Sequence, residues 1–205
     1  MGRHRLLMPP GIRLQTGAVH QVSPSKDSVI SGYFARPKKT LGKYRPIVSL
    51  KYTNRYIRKV PFRMTTTKQI KTWLRPGCYM TSLDLQDAYF SIPIHPRFWR
   101  YTRFVWRKLT FEYKVVMFGL GPSARVFTKI LRAAILFLRN EFGIEICGYI
   151  DDHLIQADLT ELSYLHTEVA ILTFHCLGFS VNFPKSVLTP TQRLPHLGFL
   201  WHGWL

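Results

Sequence analysis

Tyr149-Ile150-Asp151-Asp152 lies between two short strand-like runs, Ile144 to Ile150 and Leu154 to Ala157. That spacing predicts a tight β-hairpin with both carboxylates at its tip. Asp-Asp in a hairpin is also ordinary turn chemistry, because Asp bonds its own backbone and tolerates unusual dihedrals. Hairpin turns, however, favour Asn-Gly or Asp-Gly, and a second Asp adds nothing to the turn. Upstream, Asp84 ends another strand-like run, Tyr79 to Leu83, and is followed by Leu85-Gln86-Asp87-Ala88-Tyr89. Asp84 is open to a second reading, as the cap of a short helix that starts near Asp87. If the two strands are neighbours in one sheet, Asp84, Asp151 and Asp152 converge. Carboxylates so placed repel one another unless cations sit among them. An all-oxygen donor set suits a hard divalent ion, Mg²⁺ or Mn²⁺. Two such ions about 3.5–4 Å apart are a recurrent device of phosphoryl transfer.

Charge supports that reading by its placement. The 205 residues carry a net charge of +18, and 17 Lys and Arg precede Asp84 against one acid, Asp27. From Asp84 onward 12 basic residues face 10 acidic ones. A basic lobe joined to a near-neutral lobe that holds the carboxylates suits a surface that handles a polyanion and feeds a metal site. A merely solvated basic face would have acids interspersed. With 46% hydrophobic residues the chain can build a core. Cys78, Cys147 and Cys176 are widely spaced and form no Cys-x-x-Cys pair, so they are expected as reduced core residues of an intracellular protein, cytoplasmic or nuclear. No apolar run approaches membrane-spanning length, and no membrane association is expected.

The expected organisation is α+β: an antiparallel sheet with helices packed on one face. Residues 1–16 read as a flexible segment, 17–78 as a basic region and 79–205 as the lobe with the carboxylates. Val29 to Pro37 and Arg45 to Leu50 read as a hairpin around Thr40-Leu41-Gly42-Lys43, and Thr65 to Leu74 as a short helix. Tyr101 to Trp106 and Phe111 to Met117 suggest another hairpin. Phe127, Ile130, Leu131, Ala134, Ile135 and Leu138 fall on one helical face. Asp158-Leu159-Thr160-Glu161 has the form of a capping box, opening a helix with Leu162, Leu165, Val169, Leu172 and Cys176 on one side.

Taken in order, the motifs resemble the reverse transcriptase domain of retroelements, closest to the DIRS-like and LTR-type branches. The resemblance runs from about Gly17 to Trp201. Ser31 to Lys39 and Tyr44 to Leu50 are similar to the fingers. Leu83 to Ile94, Phe118-Gly119-Leu120-Gly121-Pro122-Ser123-Ala124 and Tyr149-Ile150-Asp151-Asp152 are similar to three palm motifs. Leu177 to Ser186 resembles the fourth, and His196-Leu197-Gly198-Phe199-Leu200 the primer grip. The order of six motifs is specific where each alone is weak. The chain departs from the pattern at Ser49, where many relatives carry Asp, and at His196, where an apolar or aromatic residue is expected. It stops at Leu205, so thumb and RNase H are expected to be absent.

The resemblance implies an RNA-directed DNA polymerase fold of fingers and palm without a thumb. Its implied partners are dNTPs and a primed RNA or DNA template. Asp84, Asp151 and Asp152 are the implied catalytic metal ligands, with the backbone carbonyl of Leu85 as a further one. Lys38, Lys39 and Arg45 supply triphosphate contacts, and Asp87 and Ala88 supply backbone N–H groups. Tyr89 is implied beneath the incoming sugar as a gate against a 2′-hydroxyl; a core aromatic beside Phe90 is the other reading. Phe118 and Gly119 hold the nascent pair. Lys185 is placed near the leaving pyrophosphate as a general acid, or is an ordinary surface lysine. Two rivals stand beside the enzyme: a truncated, inactive remnant that only binds nucleic acid, and a metal-dependent nuclease.

Overall fold

The computed structural model describes residues 17–37 and 44–203. The segment 1–16, Lys38, Lys39 and the turn at Thr40-Leu41-Gly42-Lys43 lie outside them. In chain order the first elements are β1 (Val19–Val22), β2 (Ile30–Pro37), β3 (Tyr44–Ser49), α1 (Thr67–Trp73) and β4 (Tyr79–Gln86). Next come β5 (Arg103–Trp106), β6 (Leu109–Tyr113), α2 (Ser123–Phe142), β7 (Glu145–Tyr149) and β8 (Asp152–Ala157). The last are α3 (Thr160–Cys176), β9 (Ser180–Val181), β10 (Val187–Thr191), β11 (Arg193–His196) and β12 (Phe199–His202). They form two compact units that interleave along the chain. One takes the described residues up to Val60 with Tyr89–Ser123; the other takes Pro61–Ala88 and the described residues from Ala124. A contiguous division at 78/79 therefore differs from these units.

The first unit is one five-stranded sheet in the order β1-β6-β5-β2-β3, antiparallel except where β2 runs parallel to β5. Phe104, Phe111, Tyr113, Val19, Val48 and Met117 fill its core. The β5–β6 hairpin is tighter than its sequence suggests, turning on Arg107 and Lys108 with φ of 47° and 66°. A two-residue turn with both φ positive favours Asn-Gly, and neither residue is there to announce it. Glu112 is buried, and it is paired by Arg103 at 2.7 Å and His20 at 2.9 Å. Buried charges are kept where such partners exist.

The second unit is an antiparallel sheet in the order β10-β4-β8-β7, with β9 on the end of β4. The two long helices share one face. α3 is tied there by the Thr81 and Thr167 hydroxyls at 2.6 Å, and α2 by Ile135 lying against Gly148 and His153. On the other face Ile70 of α1 and Leu194 and Trp201 of the β11–β12 hairpin pack on Met80 and Leu154. α1 carries a capping box, Thr66 with Gln69.

Two expectations for α3 fail here, while the expected face of α2 holds except at Ile130. α3 presents Ser163, Thr167, Ala170 and Phe174 to the sheet, while Leu162, Leu165, Leu172 and Cys176 are exposed. Small side chains let this helix approach the strands closely enough for the Thr81–Thr167 hydrogen bond, so proximity decides over apolar content. Its expected capping box is absent: Leu159 is the N-cap with no side-chain bond, and Asp158 pairs with Arg75 at 3.0 Å. On α2 the buried stripe is Phe127, Leu131, Ala134 and Leu138, and Ile130 is exposed.

His196, unexpected at the start of the terminal hairpin turn, is buried, and burial lowers its imidazole pKa from 6.5 to about 4. The folded state therefore binds fewer protons than the unfolded chain between those values. The contribution of His196 to stability is intact above pH 6.5 and is lost as the pH drops toward 4. We predict that His196→Leu flattens this acid limb, recovering up to about 3 kcal/mol at low pH. Thermal melts of both forms between pH 7 and pH 4 read this directly. Parallel acid limbs in the two proteins contradict it.

Candidate active site

β7 and β8 are joined by a two-residue turn, with Tyr149 opposite Asp152, and β8 places Asp152 opposite Asp84 of β4. Tyr149, Asp152 and Asp84 thus stand abreast on three strands, on the face turned away from α2 and α3. The hairpin differs in one detail from its sequence reading. Only Asp151 lies in the turn, beside Ile150; Asp152 is the first residue of β8. Ile150 has φ of 56°. A β-branched residue in the left-handed region stores roughly 1–3 kcal/mol of strain, which the surrounding structure must offset. Part of that hold is visible: the Leu85 N–H donates to the Asp151 carbonyl at 2.9 Å, tying the turn to β4.

Asp84 is braced from the other side. Its N–H donates to Ser186 Oγ at 3.0 Å, and its carbonyl accepts from the Asn182 N–H at 2.7 Å. Ser186 in turn donates to the Asn182 carbonyl at 3.0 Å. Lys185 Nζ lies 3.4 Å from the Asp84 carboxylate, with most of the lysine in solvent. Sequence reasoning assigned no role to Asn182 or Ser186. Their place within Leu177 to Ser186, the stretch similar to the fourth motif, was the available signal.

Burial, with Asp151 and Asp84 alongside, pushes the Asp152 carboxyl up to about 6. Asp151 is also raised, by burial first and by Asp84 next. These shifts describe acids held close in a partly desolvated place with too little positive charge around them. The donor set fits a hard divalent cation: oxygen-only, anionic, and destabilised without one. Among the described residues no three acidic, imidazole or thiol groups stand close enough together to hold a metal ion by themselves.

On the same unit, an open cleft of about 800 Å³ runs beside Tyr149. Arg63, Thr65, Thr66, Gln69 and Leu197 also line it.

The remaining candidates are spread along the chain. Asp87 is left-handed, with φ of 48°, and the helix expected from it is a 3-10 turn, Ala88–Ser91. In the first unit Tyr89 is 5% exposed, its ring edge-on to Phe118 at 4.5 Å. Phe118 is exposed, and Gly119 beside it has φ of 87°, a conformation that only glycine adopts at little cost. Asn54, not singled out in the sequence, clamps this loop through both ends of its amide. Nδ2 donates to the Gly119 carbonyl and Oδ1 accepts from the Gly121 N–H, both at 2.8 Å. Arg45 is exposed on β3, directly opposite Arg36 of β2. Like charges in that register destabilise a ladder, so the pair favours an anion nearby. Lys38 and Lys39 lie outside the described residues.

A model of the family described as reverse transcriptase (RNA-dependent DNA polymerase) matches residues 36–200. Among solved structures, a foamy viral protease-reverse transcriptase in complex with double-stranded DNA is similar with a TM-score of 0.78 at 22% identity. The match covers 91% of this chain and 37% of that one. The native prototype foamy virus protease-reverse transcriptase gives a TM-score of 0.74 at 21% identity, covering 90% of this chain and 24% of that one. This chain thus spans well under half the length of either relative, and at this identity the likeness concerns the fold.

Proposed function

Since this chain belongs to the reverse transcriptase (RNA-dependent DNA polymerase) family, we propose that it is the polymerase core of a retroelement, adding dNTPs to a primer 3′ end. The observation that carries this reading is the alignment of Asp84 and Asp152 across β4 and β8, with Asp151 in the adjoining turn. We assign the element to the DIRS-like and LTR-type branches on the motif resemblance alone. Residues 17–78 are read as fingers-like and 79–205 as palm, with Pro61–Ala88 and Tyr89–Ser123 exchanged between the two compact units.

In this reading Asp84 and Asp151 are the principal ligands of Mg²⁺ or Mn²⁺, with Asp152 and the Leu85 carbonyl as lesser ones. The bound ions would supply Lewis-acid stabilisation of the attacking and leaving oxygens. The protein's own part is positional. The Asn182–Ser186 turn fixes the strand end that presents Asp84, and the Leu85–Asp151 hydrogen bond fixes the hairpin that presents Asp151. Arg45, with Lys38 or Lys39, binds the triphosphate, and Asp87 and Ala88 add backbone N–H groups. Lys185, 3.4 Å from the Asp84 carboxylate and largely in solvent, would hold a proton for the departing pyrophosphate. Leu197 and the cleft beside Tyr149 receive the primer end, and Phe118 and Gly119 hold the new pair.

The deciding assay is dNTP incorporation on a primed RNA template with Mg²⁺ or Mn²⁺. Template-directed extension is expected; degradation of the primer instead would identify a nuclease, and duplex binding alone an inactive remnant. A second prediction follows from the charge asymmetry. Affinity for primer–template should fall with salt by a log–log slope of about 0.9 per phosphate contact on B-form DNA and about 0.7 on single strands. Charge-removing changes at Lys38, Lys39 and Arg45 should lower that slope more than changes at basic residues beyond Asp84. Equal contributions from both regions would contradict it.

A further inference from the structure

The outer side of α3 carries a regular apolar row. Leu162, Leu165 and Leu172 are 37%, 55% and 63% exposed, Val169 is half-buried, and Cys176 at the helix end is exposed. Steps of three and four residues alternate along this row, which gives it a 3.5-residue period. A helix turns by roughly 100° per residue, so the row stands opposite Ser163, Thr167, Ala170 and Phe174, which are buried on the sheet. The face that holds the helix to the fold is therefore not the face that shows leucine. A contiguous exposed apolar surface of this kind marks a place where something else binds.

Spacing and charge together name the occupant. Alternating steps of three and four residues receive the side chains of a second helix, whereas a β-strand would offer a period of two. Glu161 and Glu168, seven residues apart, are exposed along one edge of the row. No Lys or Arg occurs between Arg139 and Lys185, a stretch that holds seven of the chain's 11 acids. Nucleic acid and an anionic membrane surface both need cations, so neither suits this face. A second copy of the chain fits poorly as well. Its α3 brings no Lys or Arg to Glu161 and Glu168, and its approach sets a net charge of +18 against +18. We propose that the outer row of α3 is a docking seam for an amphipathic helix of a different protein, one whose apolar stripe is flanked by Lys or Arg. The seam stands whether or not the chain extends primers, since α3 carries none of the residues assigned to the reaction.

Fluorescence anisotropy with the full chain measures docking of a labelled, synthetic three-heptad peptide with Leu at its seam positions and Lys beside them. A second peptide keeps the Lys and carries Ser in place of the seam Leu. The Leu peptide is expected to bind at least about ten-fold more tightly, because a chain of net charge +18 gives the cations alone little reason to stay. Leu165→Asn/Leu172→Asn should weaken the Leu peptide about ten-fold or more with an unchanged melting temperature, since both side chains are exposed. Glu161→Gln/Glu168→Gln should weaken it about three-fold and flatten its salt dependence. Docking should also slow maleimide modification of Cys176, the exposed thiol in the row, whereas Cys78 and Cys147 are buried with or without peptide. Equal binding of the two peptides, or undiminished binding of the Leu peptide to the Asn variant, overturns the proposal. Sedimentation of the peptide-free chain is expected to show a monomer. A dimer that Leu165→Asn/Leu172→Asn dissociates would assign the seam to self-association and overturn it too.

Discussion

Asp84→Asn and Asp151→Asn are each expected to bring primer extension down to background, a loss of at least about a thousand-fold if both metal-held oxygens depend on them. The argument is electrostatic. An Asn amide keeps the shape of the side chain and one oxygen, but it removes the charge that makes a divalent cation favourable at this strand end. Folding should not suffer. Asp151 and Asp152 are both destabilised by burial and by neighbouring acids, so deleting one charge relieves repulsion. The metal-free melting temperature of Asp151→Asn should therefore equal or exceed that of the parent. Asp152→Asn should impair extension less than the other two. The paired measurement, extension beside a metal-free melt, separates a lost ligand from a lost fold. Extension at the parental rate in either of the first two variants would sink the assignment of these carboxylates.

Much of this site was legible because carboxylates, strand ends and turns leave local traces. The basic hairpin, the strand before Asp84 and the hairpin around Asp151 all show alternating or β-rich runs bounded by turn residues, and they form β2–β3, β4 and β7–β8. What stayed hidden has a common physical origin in contacts distant along the chain. Nothing local says that Ser186 will receive the Asp84 N–H across the sheet, or that Asn54 will grip a loop some 65 positions away. Turn geometry hid for another reason. Ile150 and Arg107-Lys108 adopt positive φ without the glycine or asparagine that would mark such turns, and at Ile150 the Leu85–Asp151 hydrogen bond helps to hold the turn.

Helix faces were the poorest guide. α3 follows its apolar spacing in sequence yet turns Leu162, Leu165 and Leu172 to the surface. The rule that the apolar stripe faces the core assumes that area decides. Where a helix can sit close to a sheet on Ser163, Thr167 and Ala170, dispersion and a buried hydroxyl pair compete with it. Cys176 illustrates the consequence, since it rides on the same stripe and is exposed, while Cys78 and Cys147 are buried as expected.

Tyr89 offers the second large effect, and its packing sharpens what must be measured. The ring is 5% exposed and meets Phe118 edge-on, so truncation removes a buried aromatic as well as any gate. Tyr89→Ala should therefore cost roughly 3–5 kcal/mol of stability, as other Phe-sized truncations do. If the ring also fills the volume that a ribose 2′-hydroxyl would need, the same change admits ribonucleotides. Overlap of that kind cannot relax in a packed site, and excluding an added hydroxyl by a clash is more effective than by a merely apolar wall. The ratio of rNTP to dNTP incorporation should then rise by ten-fold or more, about 1.4 kcal/mol of lost discrimination. Tyr89→Phe keeps the ring, and so should keep both stability and the ratio. Tyr89→Val retains more packing than Ala and serves if Ala fails to fold. A core residue with no gating role predicts the opposite division: stability falls from Phe to Val to Ala, activity falls with it, and the nucleotide ratio does not move in any of them.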